Sequence, residues 1–530
     1  MDLDLFERET TSTETARRPS MDVERMIGST TAVEYGNYGY VIGNTDVLQV
    51  AVVLKCVAVA AIHSDRIQKR VGVYFRQNDT NLGVFIVDQD GSYFDEETAA
   101  DFTRAVNGAE MGLERLREIS SSVLIGYTEH RRVKEIYYAV EEMIRQIGSV
   151  GFRCKSLVGV GLPELFYDVA NSGENETYVE FIKRSFLRLR ELTDTSLHVA
   201  VDTAGGAMVE CIEELNENQE MRVTHLMPTV KNKKQGAEYV YNFKKIPRVQ
   251  SSGCLTGSFD AMGTRLVFYK ENSTNLRIYD GDVLGSYVIN YIDNLLRAIS
   301  KEVDLSISRG IVLNELTSTV CMDYLTNRGI EFTLTGLEVK HMQEKTKIYD
   351  ISVLSNPEGY LTASCSSKAV ALLERAREAA TSEKVTRSVD ILLTLCRMLG
   401  RNCSDGLATL YCFKAILKSH YDLNLYKKTH TRILTVKLKQ GISLSYNKVV
   451  SPVYLQKHIN YYTRKCRGRV VLRKNGSNPN GTELVIFTEA SSEEQCDILC
   501  LKIADLFYEN CGGIGEYPAI SYSIIYGFEE

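Results

Sequence analysis

The stretch LHVAVDTAGGAMVECIEEL, residues 197–215, holds the pattern that most constrains this fold. An apolar run gives way to a glycine-containing turn, and the turn to a stretch with apolar positions three and four apart. The first suits a strand and the last an amphipathic helix. RGIVLNELTSTVCMDYLTNRG (309–329) and YDISVLSNPEGYLTASC (349–365) follow the same pattern. Nearer the start, KRVGVYF and NLGVFIVD flank a polar loop, SSVLIGYTE is a further strand, and KSLVGVGLP another. Between those two, RRVKEIYYAVEEMIRQIG places Val133, Ile136, Ala139, Val140 and Ile144 on one helical face. Strands alternating with helices predict layered α/β domains with mainly parallel or mixed sheets.

After about Leu425 the grammar changes. RILTVKLKQ, GRVVLRK and ELVIFTEA alternate as half-buried strands, and SEEQCDILCLKIADLFYENCG closes the chain as a helix. This predicts an α+β domain whose first half is basic. With only 8 prolines in 530 residues, no Pro-rich linker marks the boundaries. The length suits three or four domains.

Composition removes several classes of function. A net charge of -6 gives no global reason to expect nucleic acid. The 13 cysteines form no CxxC pair, and Cys496 and Cys500 fit the apolar face of one helix, so they read as reduced core thiols. The apolar run from Val47 to Ile62 contains Gln49 and Lys55 and is too short to span a bilayer, so it is expected to be a buried helix. Residues 1–20 are polar and rich in Ser and Thr. They are expected to be a disordered tail rather than a signal peptide, with the cytosol as the location.

Several short signatures then fall in a telling order. They are VEYGNYGY (33–40), VGVYF with NLGVFIVDQDG, VLIGYTEH (123–130), VAVDTAGGA (199–207) and GSFDAMGTRLVFY (257–269). IYDGDVLG (278–285), FTLTG (332–336), DISVLSNPEGYLT (350–362), VVLRKNGSNPNGTELVIFTEA (470–490) and GGIGEYP (512–518) follow. In this order they resemble the α-D-phosphohexomutase superfamily, and within it the phosphoacetylglucosamine mutases. The resemblance implies three α/β domains with mixed sheets and a C-terminal α+β domain around a central cleft. With the grammar above, it places a phosphoserine-loop domain at 21–190 and a metal-loop domain at 191–304. A sugar-loop domain at 305–425 and a phosphate-loop domain at 426–530 follow. It implies a reaction too: interconversion of N-acetylglucosamine 6-phosphate and 1-phosphate through a phosphoserine, with Mg²⁺ held by three aspartates.

The resemblance weakens where the chemistry should sit. Of the metal-loop carboxylates Asp260 alone is kept, with Met262 and Thr264 at the other two positions and Arg265 retained. A thioether is a poor ligand for a hard cation and a hydroxyl adds no charge, so weak or absent Mg²⁺ binding is expected. The phosphoserine loop, YFRQNDTNL, is short and has no serine. Thr80 is the candidate phosphoacceptor there, against a reading as an ordinary loop residue. The sugar loop has Asn356 and Tyr360 in place of the family's Glu and His. It keeps Gly359 and Thr362, and Glu358 is a displaced substitute. Leu334, Val41, Tyr127 and Thr128 likewise stand where the family has charged residues. Asp280 and Asp282 are read as turn and helix-cap residues.

The C-terminal phosphate loop fares better. Arg473 and Lys474 supply charge, and Gly476, Ser477, Gly481 and Thr482 can form a concave nest of N–H groups and hydroxyls. A Gly/Asn-rich hairpin turn would look the same.

Three readings follow. One is a working mutase with rebuilt loops. The second, favoured by the missing serine and aspartates, is a catalytically silent homologue that binds sugar phosphate or serves as a regulatory or scaffold protein, with room for a protein partner. The third is nucleic-acid binding through KCRGRVVLRK beside Tyr461 and Tyr462, which a solvated basic face explains as well.

Overall fold

A computed structural model describes residues 176–515 apart from short gaps at 227–234, 248–252, 272–275, 337–338, 401–402, 446–447 and 475–481. It also describes residues 163–165 and 167 and the backbone of six strands within 32–158. Those six strands form one mixed sheet. They are β1 (Ala32–Tyr35), β2 (Gly39–Ile42), β3 (Val71–Gln77), β4 (Leu82–Asp88), β5 (Ser122–Tyr127) and β6 (Arg153–Val158), in the order β1-β2-β4-β3-β5-β6. The β3–β4 pair is antiparallel, and β3, β5 and β6 run parallel. Thr80 and the expected helices at 47–62 and 131–148 lie outside the described residues.

The second sheet is built from β7 (Val199–Asp202), β8 (Thr224–His225), β9 (Leu255–Phe259), β10 (Leu266–Glu271) and β11 (Leu276–Tyr279). Its order is β11-β10-β9-β7-β8. In the third, β12 (Arg309–Asn314), β13 (Glu331–Thr335), β14 (Ile351–Ser355) and β15 (Leu361–Cys365) take the order β13-β12-β14-β15. The two share one connectivity. The chain enters at an inner strand next to one edge, crosses to a parallel neighbour on one side, crosses back to a parallel neighbour on the other, and turns into an antiparallel hairpin. The turns of the two hairpins are therefore equivalent positions of equivalent units. They are residues 260–265 and 356–360, the expected metal and sugar loops.

The expectation that 349–365 would run strand, turn and helix is corrected: β15 follows the turn, paired antiparallel to β14. The glycine of that turn starts a hairpin, and the helix comes only at Ser367–Ala379.

Burial follows the patterning. One continuous apolar core runs from Tyr167 to Leu423, and the helix Tyr178–Thr193 packs on the helix Gly406–Ile416. Phe186 and Tyr411 meet edge-on at 5.3 Å between ring centroids. A second core joins β16 (His430–Lys437), β19 (Arg469–Lys474) and β20 (Glu483–Ala490) to the closing helix Glu493–Cys511. These three strands form an antiparallel sheet in the order β16-β20-β19, beside the small hairpin of β17 (Ser443–Ser445) and β18 (Lys448–Ser451). Cys496 and Cys500 are fully buried as expected, Cys500 within that core.

The two bodies are latched by polar contacts. Arg469 donates to the carbonyls of Glu315 (3.1 Å) and Thr317 (2.7 Å), and Glu489 accepts from the N–H and hydroxyl of Thr319. Among the described residues no helix is long and apolar enough to cross a membrane.

Candidate functional site

The two equivalent turns can be compared atom by atom. In the first, the Asp260 carboxylate accepts from the Thr264 N–H (2.7 Å), the Thr264 hydroxyl (2.8 Å) and the Arg265 N–H (3.0 Å). Its carbonyl accepts from the Gly263 N–H. In the second, the Asn356 side-chain oxygen accepts from the Tyr360 N–H (3.2 Å), and its carbonyl from the Gly359 N–H. Each turn places a glycine at positive φ three residues after its cap, Gly263 at 76° and Gly359 at 96°. Asp260 and Asn356 thus do the same structural work, closing a tight turn on their own backbone.

The first turn is also clamped from outside. The Ala207 N–H donates to the Ala261 carbonyl and the Gly406 N–H to the Gly263 carbonyl. Behind it Asp202, fully buried, accepts from the N–H groups of Ala204 and Gly236 and from the Ser258 hydroxyl. Met262 and Thr264 are buried. The donor set that the resemblance hands to Mg²⁺ does not fit that ion. Both oxygens of its one carboxylate already accept hydrogen bonds, and its neighbours are a thioether and a hydroxyl that donates inward. Among the described residues, no group of three or more His, Cys, Asp or Glu side chains is placed to hold a metal.

The two turns meet each other. The Leu266 N–H donates to the Gly359 carbonyl at 3.0 Å, and Arg265 pairs with Glu358 at 3.2 Å and Glu238 at 3.4 Å. Glu358 therefore faces the arginine of the sister turn. Thr362 is buried opposite Leu354 in the β14–β15 pair, and Leu334 is half exposed on β13.

Against the second turn sits the start of the helix Gly281–Ile299. The Ser355 hydroxyl donates to the Gly281 carbonyl, and a Cβ at position 281 would lie 1.8 Å from the Asn356 carbonyl oxygen. Asp280 caps this helix through the Val283 N–H and pairs with Lys428. Asp282 accepts from the Ser318 N–H. Burial, with Asp280 adding repulsion, pushes the Asp282 carboxyl up to about 7.

Tyr241, on the helix Gly236–Phe243, shows how these pieces converge. Burial raises its pKa, the carboxylates of Asp280, Asp282 and Glu358 add to the rise, and the Arg473 guanidinium opposes it. Arg473 lies on β19 opposite Val485, and the Thr482 carbonyl accepts from the Leu438 N–H. Gly476, Ser477 and Gly481 lie outside the described residues.

Beside Tyr241 a cleft of about 750 Å³ opens between the helix start at 281, the segment 423–432 and β11. Lys244 lies on its wall with its ammonium 4.0 Å from the Tyr241 ring centroid, and burial lowers its pKa to about 7. The sequence reading singled out neither Tyr241, Lys244 nor Lys428. The one available signal was a basic pair directly after an aromatic-rich helix, GAEYVYNFKK, and such a pair usually marks a solvated helix end.

Comparison with known proteins fits this fold. A family model described as phosphoacetylglucosamine mutase AMG1, domain III, matches residues 280–421. The probable phosphoacetylglucosamine mutase of Encephalitozoon cuniculi (strain GB-M1) is 27% identical over 477 residues, 83% of this chain and 87% of that one. A crystal structure of an N-acetylglucosamine-phosphate mutase, a member of the α-D-phosphohexomutase superfamily, in a product complex superposes with a TM-score of 0.80 at 19% identity. It covers 92% of this chain and 100% of its own. The Aspergillus fumigatus N-acetylphosphoglucosamine mutase in complex with GlcNAc-6P and magnesium gives a TM-score of 0.76 at 18% identity, over 91% of this chain and 98% of its own.

Proposed function

We propose, for a chain with the fold of the α-D-phosphohexomutase superfamily and a sequence resembling the phosphoacetylglucosamine mutases, a protein that binds N-acetylglucosamine phosphates but whose mutase reaction is impaired or lost. The family interconverts the 6-phosphate and the 1-phosphate. The four-part division at 21–190, 191–304, 305–425 and 426–530 and a cytoplasmic location belong to the same reading.

One observation carries it: Asp260 is engaged as a turn cap, in the place where the sister turn uses a neutral Asn356. Phosphoryl transfer asks mainly for charge neutralisation and alignment. A divalent ion supplies several kcal/mol of that, so its loss is expected to cost roughly a thousandfold or more in rate. The sequence offers no serine within residues 74–82, the end of β3 and its connection to β4, only Thr80 as a hydroxyl of the right kind. Binding rests on other groups. Arg473 and Thr482, with Gly476, Ser477 and Gly481, are proposed to hold the phosphate. Glu358, oriented by Arg265, is proposed to accept from sugar hydroxyls, with Gly359 and Thr362 shaping the loop.

The test is a coupled assay of the purified chain with N-acetylglucosamine 6-phosphate, a bisphosphate primer and Mg²⁺, beside a calorimetric titration of the same sugar phosphate. Binding without turnover is expected. Mg²⁺-dependent turnover that Asp260→Asn abolishes would overturn the reading and make the carboxylate a ligand after all.

A further inference from the structure

The cleft beside Tyr241 is lined by none of the residues assigned above to sugar or phosphate binding. Its charges are unevenly paired. Arg432 is taken by Asp497 and Glu493, and Lys428 by Asp280. Lys244, Arg277 and Lys427 also line it, and among the described residues none of them has a carboxylate partner. Lys244 and Arg277 instead lie over the rings of Tyr241 and Tyr279.

The floor is unfinished in a complementary way. Asp282 is 2% exposed and Ser318 8% exposed, and both line the cleft. Among the described residues, one Asp282 carboxylate oxygen (Oδ1) and the Ser318 hydroxyl have no hydrogen-bond partner. Ser318 sits at the N-cap of the helix Thr319–Arg328, yet its side chain makes no cap bond. A buried polar atom left unpaired costs about 1–3 kcal/mol, so a fold keeps such atoms where something else completes them. Two helices, Gly281–Ile299 and Thr319–Arg328, also begin at this wall and turn their positive ends to it. The volume falls in the range of small-molecule sites.

We propose that this cleft is a second ligand site, which takes a phosphorylated, hydroxyl-bearing small molecule. Its phosphoryl group is drawn by Lys244, Arg277 and Lys427, and its hydroxyls complete Asp282 and Ser318. The proposal does not depend on mutase activity. Lysine is suited to it because a point charge binds a phosphoryl group without demanding one orientation. Asp280, neutralised by Lys428, does not oppose the incoming charge.

The experiment is calorimetric titration of the full chain with inorganic phosphate and, separately, with N-acetylglucosamine 6-phosphate, each repeated in an Arg473→Gln background. In that background one site is expected to persist. Lys244→Gln added to it is expected to weaken both probes by about tenfold, as loss of one charge-assisted contact implies. Lys427→Gln, on an exposed side chain, guards against a folding defect and is expected to weaken both severalfold. Ser318→Ala is expected to remove the preference for the sugar phosphate over inorganic phosphate. Loss of all binding in the Arg473→Gln background would overturn the proposal, as would binding there that neither lysine substitution changes. In both cases the proposed mutase-family site would be untouched.

Discussion

The turn at 260–265 and the cleft beside Tyr241 both adjoin the 356–360 turn, yet they differ in how their polar groups are used. In the turn, the carboxylate of Asp260 is fully engaged, and the arginine that follows faces Glu358. In the cleft, Lys244, Arg277 and Lys427 line the wall without a carboxylate partner among the described residues, and Asp282 and Ser318 keep unused capacity there. A closed hydrogen-bond ring favours one backbone conformation and leaves little for a ligand. Open groups cost stability until something binds. The place that the resemblance marks for chemistry is therefore the structurally sealed one, and the unmarked place is open.

The strongest way to break this comparison is at the shared turn. Gly281→Ala drives a methyl group into the Asn356 carbonyl, backbone that cannot yield cheaply. It is expected to destabilise by about 3 kcal/mol or more, read as the shift in urea midpoint. Asp260→Ala removes three hydrogen bonds and strands two backbone N–H groups. It is expected to cost about 2 kcal/mol, equally with and without Mg²⁺. Asp260→Asn keeps the acceptor that Asn356 supplies in the sister turn and is expected to cost under about 1 kcal/mol. A large Mg²⁺-dependent difference between the Asp and Asn forms would erase the distinction drawn here.

The cleft has its own signature in pH. Lys244 faces Asp280, Asp282, Lys428, Arg432 and the Tyr241 ring, and burial holds it at about 7 instead of its ordinary value. An anion favours the protonated form, so affinity rises as pH falls through that value. Sulfate, whose own charge is constant there, is expected to bind about fivefold more tightly at pH 6 than at pH 8, by calorimetry. Asp282 titrates in the same window and adds in the same direction, because a carboxylate becoming neutral repels the anion less. In Lys244→Gln the dependence is expected to shrink to the part owed to Asp282. The smallest effect is expected at Arg265→Met, which opens partly exposed ion pairs for about 0.5 kcal/mol in thermal unfolding.

Much of this was legible in the chain. VAVDTAGGAMVE announced a strand, a turn and a helix, and β7 and the helix Met208–Asn216 follow it. The closing helix and the strands around it fell where the sequence put them, but β20, the central strand, is buried on both faces instead of alternating. The segment 349–365 misled because a glycine turn after a strand starts a helix or a hairpin equally well. Only the parallel partner β12 and the antiparallel β15 decide which. Lys244 and Lys428 were illegible for another reason. They are more than 180 residues apart, and a lysine at a helix end looks solvated until something packs over it.

Residue identity alone decides which side chains are available: one aspartate where the family pattern has three, no serine within residues 74–82, arginines kept at 265 and 473. These are facts of composition at a position, and no folding can add a carboxylate. What that aspartate does was decided only in three dimensions. The hairpin geometry aims the Thr264 and Arg265 N–H groups at Asp260, as its sister aims the Tyr360 N–H at Asn356. Hydrogen-bond capacity is spent on whichever donors the backbone brings within reach, and that reach belongs to the fold.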